Sequence, residues 1–120
     1  MRETTTRRGQ RAESLAATYL EGLGYRIVAR NFHARGGEID IIAFDGEVLC
    51  FVEVRSRQGV KFGTPLETID RRKIRRVATA ARSYLEKLER PWPRMRFDAV
   101  GIVMSVPPNI ELVRDAFEAG

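Results

Sequence analysis

Residues Gly37 to Arg55 read GEIDIIAFDGEVLCFVEVR, two apolar runs on either side of Asp45-Gly46. An Asp-Gly pair between such runs is a hairpin turn signal. The stretch therefore predicts a strand over Glu38–Phe44 and another over Val48–Arg55. The loop length decides where the acids fall. A two-residue loop, Asp45-Gly46, pairs Phe44 with Glu47 and sets Asp40 opposite Phe51 and Glu38 opposite Glu53. A four-residue loop pairs Phe44 with Leu49 and sets Asp40 directly opposite Glu53. Either even loop leaves Asp40 and Glu53 on one sheet face, close enough to share a ligand. Alternation adds Arg55 to that face and turns Val48, Cys50, Val52 and Val54 to the other. A three-residue bulged loop would break the coincidence.

Upstream, Ala12, Leu15, Ala16, Tyr19, Leu20 and Leu23 recur at three- and four-residue spacing, predicting a helix over residues 10–23. Gly24 stands where a helix C-terminus wants a left-handed residue. A strand from Tyr25 to Phe32 follows, broken by Gly36-Gly37. Downstream, Gln58 to Pro65 reads as a loop with Gly59 and Gly63. A long helix runs from Arg71 to Glu89, with Asp70 as N-cap and Ile74, Val77, Ala78, Ala81, Leu85 and Leu88 as its buried stripe. Pro91 and Pro93 end it. A further strand is expected over Met95–Met104, then a short segment over Asn109–Phe117. The expected fold is α/β, a central mixed sheet flanked by helices in the order α-β-β-β-α-β. One domain over residues 1–120 is expected, with residues 1–9 as a basic arm.

Composition narrows the chemistry. The chain has 120 residues, 21 Lys and Arg against 16 Asp and Glu, a formal charge of +5, one Cys and one His. One Cys excludes an internal disulfide framework, and Cys50 sits in an apolar run as a small hydrophobe. One Cys and one His exclude zinc sites built from several of either. Apolar runs fall far short of the roughly 18 residues of a membrane span. Met1 to Arg8 holds no apolar segment of a secretion signal. A cytoplasmic protein without membrane contact is expected. Of the 21 cations 18 are Arg, a preference that suits phosphate because the planar fork bonds two oxygens at once. Codon bias accounts for it equally well.

Two carboxylates converging amid Ile42, Phe44, Leu49 and Phe51 repel one another and lose hydration, so they call for a cation. Arg55 offers one; a hard divalent ion offers another. Mg²⁺ takes one or two protein carboxylates and completes its shell with water and substrate phosphate. Glu13, at the edge of the first helix's apolar stripe, is placed to look into the sheet. The alternative is a salt-bridge ladder of Asp40, Glu53 and Arg55 on an exposed face.

The ordered set Glu13, Arg30-Asn31, Gly37-Glu38-Ile39-Asp40, Phe51-Val52-Glu53-Val54-Arg55-Ser56-Arg57, Pro65 and Lys73 resembles the YraN-like family of uncharacterised bacterial proteins. That family is similar to archaeal Holliday-junction resolvases, within the PD-(D/E)xK nuclease superfamily. The resemblance covers nearly the whole chain and implies a restriction-endonuclease-like core. It further implies Mg²⁺ or Mn²⁺ held by Asp40, Glu53 and the Val54 carbonyl, with Glu13 helping directly or through water. The Gly37 position would allow close backbone approach at the site entrance. The general signature has Lys where this chain has Arg55; Arg stays protonated and can only orient water or stabilise charge.

Asp70-Arg71-Arg72-Lys73-Ile74-Arg75-Arg76 crowds cations at a helix N-terminus, the unfavourable end for the macrodipole but a good phosphate site. Arg72, Lys73 and Arg76 are read as DNA or RNA backbone contacts, with Lys73 leaning toward the acidic site, and a solvated basic face is the alternative. Arg57 is placed to clamp a phosphate. Arg30 and Asn31 brace the approach to the acidic hairpin, and His33 is given no role. The expected function is a divalent-metal-dependent endonuclease, with Asp40, Glu53 and Arg55 assisted by Glu13. The competing expectation is a nucleic-acid-binding module on the same fold without catalysis. Resemblance to dimeric resolvases leaves room for a homodimer, and no exposed apolar stripe demonstrates one.

Overall fold

The computed structural model describes residues 4–59 and 65–118. Its elements are α1 (Thr5–Gly22), β1 (Arg26–Ala34), β2 (Gly37–Asp45), β3 (Val48–Arg57), a 3₁₀ turn (Pro65–Thr68), α2 (Arg71–Leu85), β4 (Met95–Val103) and β5 (Asn109–Val113). They form one five-stranded sheet in sequence order, β1-β2-β3-β4-β5. Every neighbouring pair is antiparallel except β3 and β4, which run parallel with α2 in the connection between them. The expected mixed α/β sheet and its α-β-β-β-α-β order are present, and the segment after Pro108 adds a fifth strand.

Alternation along the strands builds two cores. On one face α1 sets Ala12, Ala16, Ala17 and Leu20 against Ile41, Ala43, Cys50, Val52, Val100 and Ile102. On the other, α2 sets Val77, Ala80, Ala81 and Leu85 against Ile39, Ile42, Leu49 and Phe51. Each fully buried large side chain contributes about 1.5–3 kcal/mol, so both helices are held chiefly by these faces. A polar clamp secures the far end of the sheet. Buried Asp98 accepts bonds from Arg96 Nε and Tyr25 Oη, both at 2.8 Å, and from the Asp115 N–H at 3.0 Å.

Several boundaries depart from the expected ones. Helix α1 begins at Thr5, so residues 5–9 are helical rather than part of an arm; residues 1–3 of that arm lie outside the described residues. The cause is Thr4, whose side chain accepts the Arg7 N–H at 3.1 Å and caps the helix about two turns before its apolar stripe begins at Ala12. Helix α2 ends at Leu85 rather than Glu89, because the N–H groups of Lys87 and Leu88 turn to carbonyls three residues back, the tighter 3₁₀ pattern. Ala80 takes the fully buried place expected of Ala78. Of the expected loop Gln58–Pro65, residues 60–64 lie outside the described residues. Asp70 does cap α2, accepting the Lys73 N–H at 2.9 Å.

Gly37 fixes where α2 sits. A Cβ there would lie 1.9 Å from the Arg76 carbonyl oxygen and 3.1 Å from the Ala80 nitrogen. Only a residue without Cβ lets the helix backbone lie directly on the start of β2. The close approach expected at this position is thus filled by α2, and it brings Lys73, one turn earlier, over the acidic strands.

Candidate metal centre

The pairing of β2 with β3 follows the second of the two registers, with Asp45↔Val48, Phe44↔Leu49, Ile42↔Phe51 and Ile41↔Val52. It stops there. On the outer sides, β1–β2 pairing continues to Ala34↔Gly37 and β3–β4 pairing to Arg57↔Val103. The two central strands therefore fork just where Asp40 and Glu53 would be the next pair. Side chains fill the gap: Asp40 Oδ2 accepts the Val54 N–H at 2.8 Å, and the Asp40 N–H makes a long contact, 3.5 Å, to Glu53 Oε2.

The expectation that both acids share one face needs correction. Ile39 packs in the α2-side core and Ile41 in the α1-side core, although two residues apart should face the same way. Alternation slips at Asp40. Its neighbour on β1, between the pairs Arg30↔Ile41 and Phe32↔Ile39, is Asn31, which has φ of 53°. Asn tolerates this left-handed conformation better than most residues, and such strain gathers at functional sites. In consequence Asp40 lines a cavity of about 380 Å³ with Thr6, Gln10, Glu13, Asn31 and Val54, on the α1 side. Glu53 is reached from the α2 side by Lys73. The two carboxylates meet through the fork.

Glu53 is completely buried, and its Oε1 lies 3.2 Å from Lys73 Nζ. That approach is off the hydrogen-bonding direction, so Oε1 has an ion-pair partner but no hydrogen bond. Lys73 also reaches Glu38 Oε1 at 3.4 Å, and Glu38 Oε2 faces His33 Nδ1 at 3.5 Å. Burial, reinforced by the Asp40 charge, pushes Glu53 up to about 8 against partial relief from Lys73. Burial likewise raises Asp40 above the ordinary carboxylate range, opposed by the Val54 N–H and by the Lys73 and Arg55 charges. Glu13, 8% exposed, is raised by burial first, with the Asp40 charge adding to it; Arg30, 3.2 Å away, and Asn31 pull it back. Three carboxylates thus hold protons more tightly than usual, the mark of a site short of positive charge.

A hard cation would remedy that shortage. The donors on offer are carboxylate oxygens, the set that suits Mg²⁺ or Mn²⁺, and Glu53 Oε1 is a buried lone-pair site without a hydrogen bond. Among the described residues no group of three or more Asp, Glu, His or Cys side chains is close enough to hold one ion together. Asp40 and Glu53 are the two acids that meet at the fork, while Asp40, Glu13 and Val54 line one cavity, where Glu13 is paired with Arg30.

The other site candidates separate. Arg55, expected beside the acids, lines a larger cavity with Arg57. Arg72 and Arg76 are solvent-exposed on α2, apart from the buried acids. Lys73, read as a nucleic-acid contact, is 14% exposed and belongs to the acidic centre. Glu38 and His33, noticed in the sequence but given no role, join the centre through their contact chain to Lys73.

Fold and site together define an α/β protein with a buried and a half-buried carboxylate at a strand fork, neutralised in part by a helix lysine. The chain belongs to the family described as Uncharacterised protein family UPF0102, which residues 12–102 match. A UPF0102 protein of Chlorobium limicola is 48% identical over 101 residues, covering 84% of this chain and 78% of that one. A UPF0102 protein of Rhodococcus opacus is 45% identical over 111 residues, 91% of this chain and 94% of the relative. One of Chlorobaculum tepidum is 43% identical over 119 residues, 93% and 92%.

Proposed function

We propose that this chain is a divalent-metal-dependent nuclease that hydrolyses phosphodiester bonds of structured or single-stranded nucleic acid, with Asp40 and Glu53 as the metal ligands. The observation that carries the reading is the fork: a buried Glu53 and a half-buried Asp40, with the Asp40 N–H 3.5 Å from Glu53 Oε2, both short of positive charge, beside the cavity that Asp40 lines. A bound Mg²⁺ or Mn²⁺ would polarise the phosphoryl group and lower the pKa of a bound water. Asp40 is oriented for its part by the Val54 N–H. Lys73 supplies from α2 the ammonium that β3, with Arg55, lacks; it holds Glu53 in place and presents N–H donors toward a phosphate or an attacking water. Glu13, fixed by Arg30, lines the cavity beside Asp40 as a proton acceptor for water entering it. The exposed cations Arg72 and Arg76 supply sequence-independent attraction for the backbone.

The arginine on β3 and the two-carboxylate ligand set favour one alternative, a nucleic-acid-binding module without catalysis. A panel of junction, flap, duplex and single-stranded substrates, each with Mg²⁺ and with Mn²⁺, separates the two. The nuclease reading predicts cleavage of at least one substrate that disappears in Asp40→Asn. Binding without cleavage across the panel would replace it with the module reading.

A further inference from the structure

Beside the acidic cavity lies a second, larger one of about 630 Å³, within the size range of small-ligand sites. The two share Gly9, Val54 and Ser56 in their linings, so they form one continuous depression. Their chemistry is opposite. The larger cavity is lined by Arg8, Arg55 and Arg57 with the hydroxyl residues Thr5 and Ser56, and by no acid among the described residues. The Nε atoms of Arg55 and Arg57 are buried and have no hydrogen-bond partner. A buried, unpaired guanidinium N–H is costly, and groups left so in a cavity wall are commonly completed by a ligand. Thr5 and Arg8 belong to the first turn of α1, the positive end of its macrodipole, which carries no acidic residue.

We infer that Arg55, Arg57 and Arg8 form an oxyanion pocket that takes a phosphate of the polynucleotide adjoining the one held at the acidic centre. The inference rests on the nuclease reading for its substrate and adds the placement of the chain. A strand whose reacting phosphate enters the Asp40 cavity presents its neighbouring phosphate to the arginines, across the shared lining. Arg55 is then a substrate-positioning residue rather than a stand-in for the signature lysine. Phosphate suits the pocket because it bonds two guanidinium N–H groups at once, and no base contact is required. The phosphate is either an internal one or a terminal 5′-phosphate, both of which have this chemistry.

The test uses the whole chain in EDTA, so that metal and cleavage play no part. Backbone amide shifts are followed by NMR during titration with inorganic phosphate, then with short single-stranded oligonucleotides bearing a 5′-phosphate or a 5′-hydroxyl. Arg57→Gln and Arg55→Gln should each weaken binding about tenfold or more, as expected for loss of a charge-assisted bond. Arg57→Lys, which keeps the charge and removes the Nε–H, should weaken it measurably. Arg82→Gln, the same charge loss on the exposed end of α2, should leave it unchanged. A preference for the 5′-phosphate assigns the pocket to a chain end; equal affinities, both lost in the arginine variants, assign it to an internal phosphate. Unchanged affinity in Arg57→Gln and Arg55→Gln, or full affinity in Arg57→Lys, would overturn the pocket. Intact arginine-dependent binding in a protein that cleaves nothing would remove the nuclease reading and leave the pocket standing.

Discussion

Replacing Glu53 by Gln removes a titratable carboxyl from the middle of the protein while keeping the shape of the side chain. Glu53 is 0% exposed, and its carboxyl is pushed up to about 8 from an ordinary 4.5, first by burial and then by Asp40. The folded state therefore holds this proton more tightly than the unfolded chain. Between about pH 4.5 and 8 the unfolded state binds fewer protons, so raising the pH favours unfolding. The stabilisation from the bound proton is complete below 4.5 and lost above 8. A gap of about 3.5 pH units at about 1.4 kcal/mol per unit sets a ceiling of about 5 kcal/mol. The amide does not titrate. Urea unfolding in EDTA at pH 5 and pH 9 should thus show the two proteins drawing apart, with Glu53→Gln ahead of wild type by several kcal/mol more at pH 9 than at pH 5. Mn²⁺ at pH 8 should restore much of the wild-type loss and do little for the variant. An offset between the proteins that stays constant from pH 5 to pH 9 would refute this account of the buried carboxylates.

Lys73→Ala should lower cleavage by about 10²–10⁴-fold, the span of one proton-transfer or charge-stabilising group, while Mn²⁺ affinity is kept; lost Mn²⁺ binding would make the lysine merely structural. Gly37→Ala should destabilise the fold by about 1–3 kcal/mol or more, because its methyl meets the Arg76 carbonyl at 1.9 Å, and thermal denaturation reads the loss. Asp98→Ala should cost about 3–5 kcal/mol in urea unfolding at pH 7, since it leaves the Arg96 guanidinium without its buried partner. Burial alone would raise Asp98, but Arg96, the Asp115 N–H and Tyr25 together hold it below the ordinary value. Its contribution is therefore present above about pH 4 and fades as pH falls through the lower folded value, so the gap between wild type and Asp98→Ala should narrow in strong acid.

The two strands that carry the acids, β2 and β3, could be read from residues 37–55 because β-structure repeats every two residues and one turn signal anchors the pattern. The choice between hairpin registers could not. Pairing Phe44 with Glu47 or with Leu49 differs by a shift of two, which leaves every side chain on the same face. The turn itself settles it: Gly46 takes φ of 61° and Asp45 pairs with Val48. The slip at Asp40 was equally hidden, because it lies in the backbone of two neighbouring strands; an asparagine inside β1 is its only sequence trace. Glu13 was legible from its place at the edge of an apolar stripe. Lys73 was half legible. Its helical position pointed toward the sheet, but which acid it meets depends on how closely α2 rides on Gly37, a contact distance that no periodicity encodes. Arg55 was legible in part: its charge does act on Asp40, but it also lines the neighbouring cavity, and alternation assigns a face without saying where a long side chain ends.

The proposed nuclease rests on Asp40 and Glu53 forming a site for one divalent ion at the fork between β2 and β3. Titration calorimetry with Mn²⁺ tests it most directly, with a single-stranded oligonucleotide present and absent. Wild type should bind one ion and Asp40→Asn/Glu53→Gln none, with both proteins equally folded by circular dichroism. Equal Mn²⁺ binding by the two proteins, or none by wild type in either condition, would contradict it.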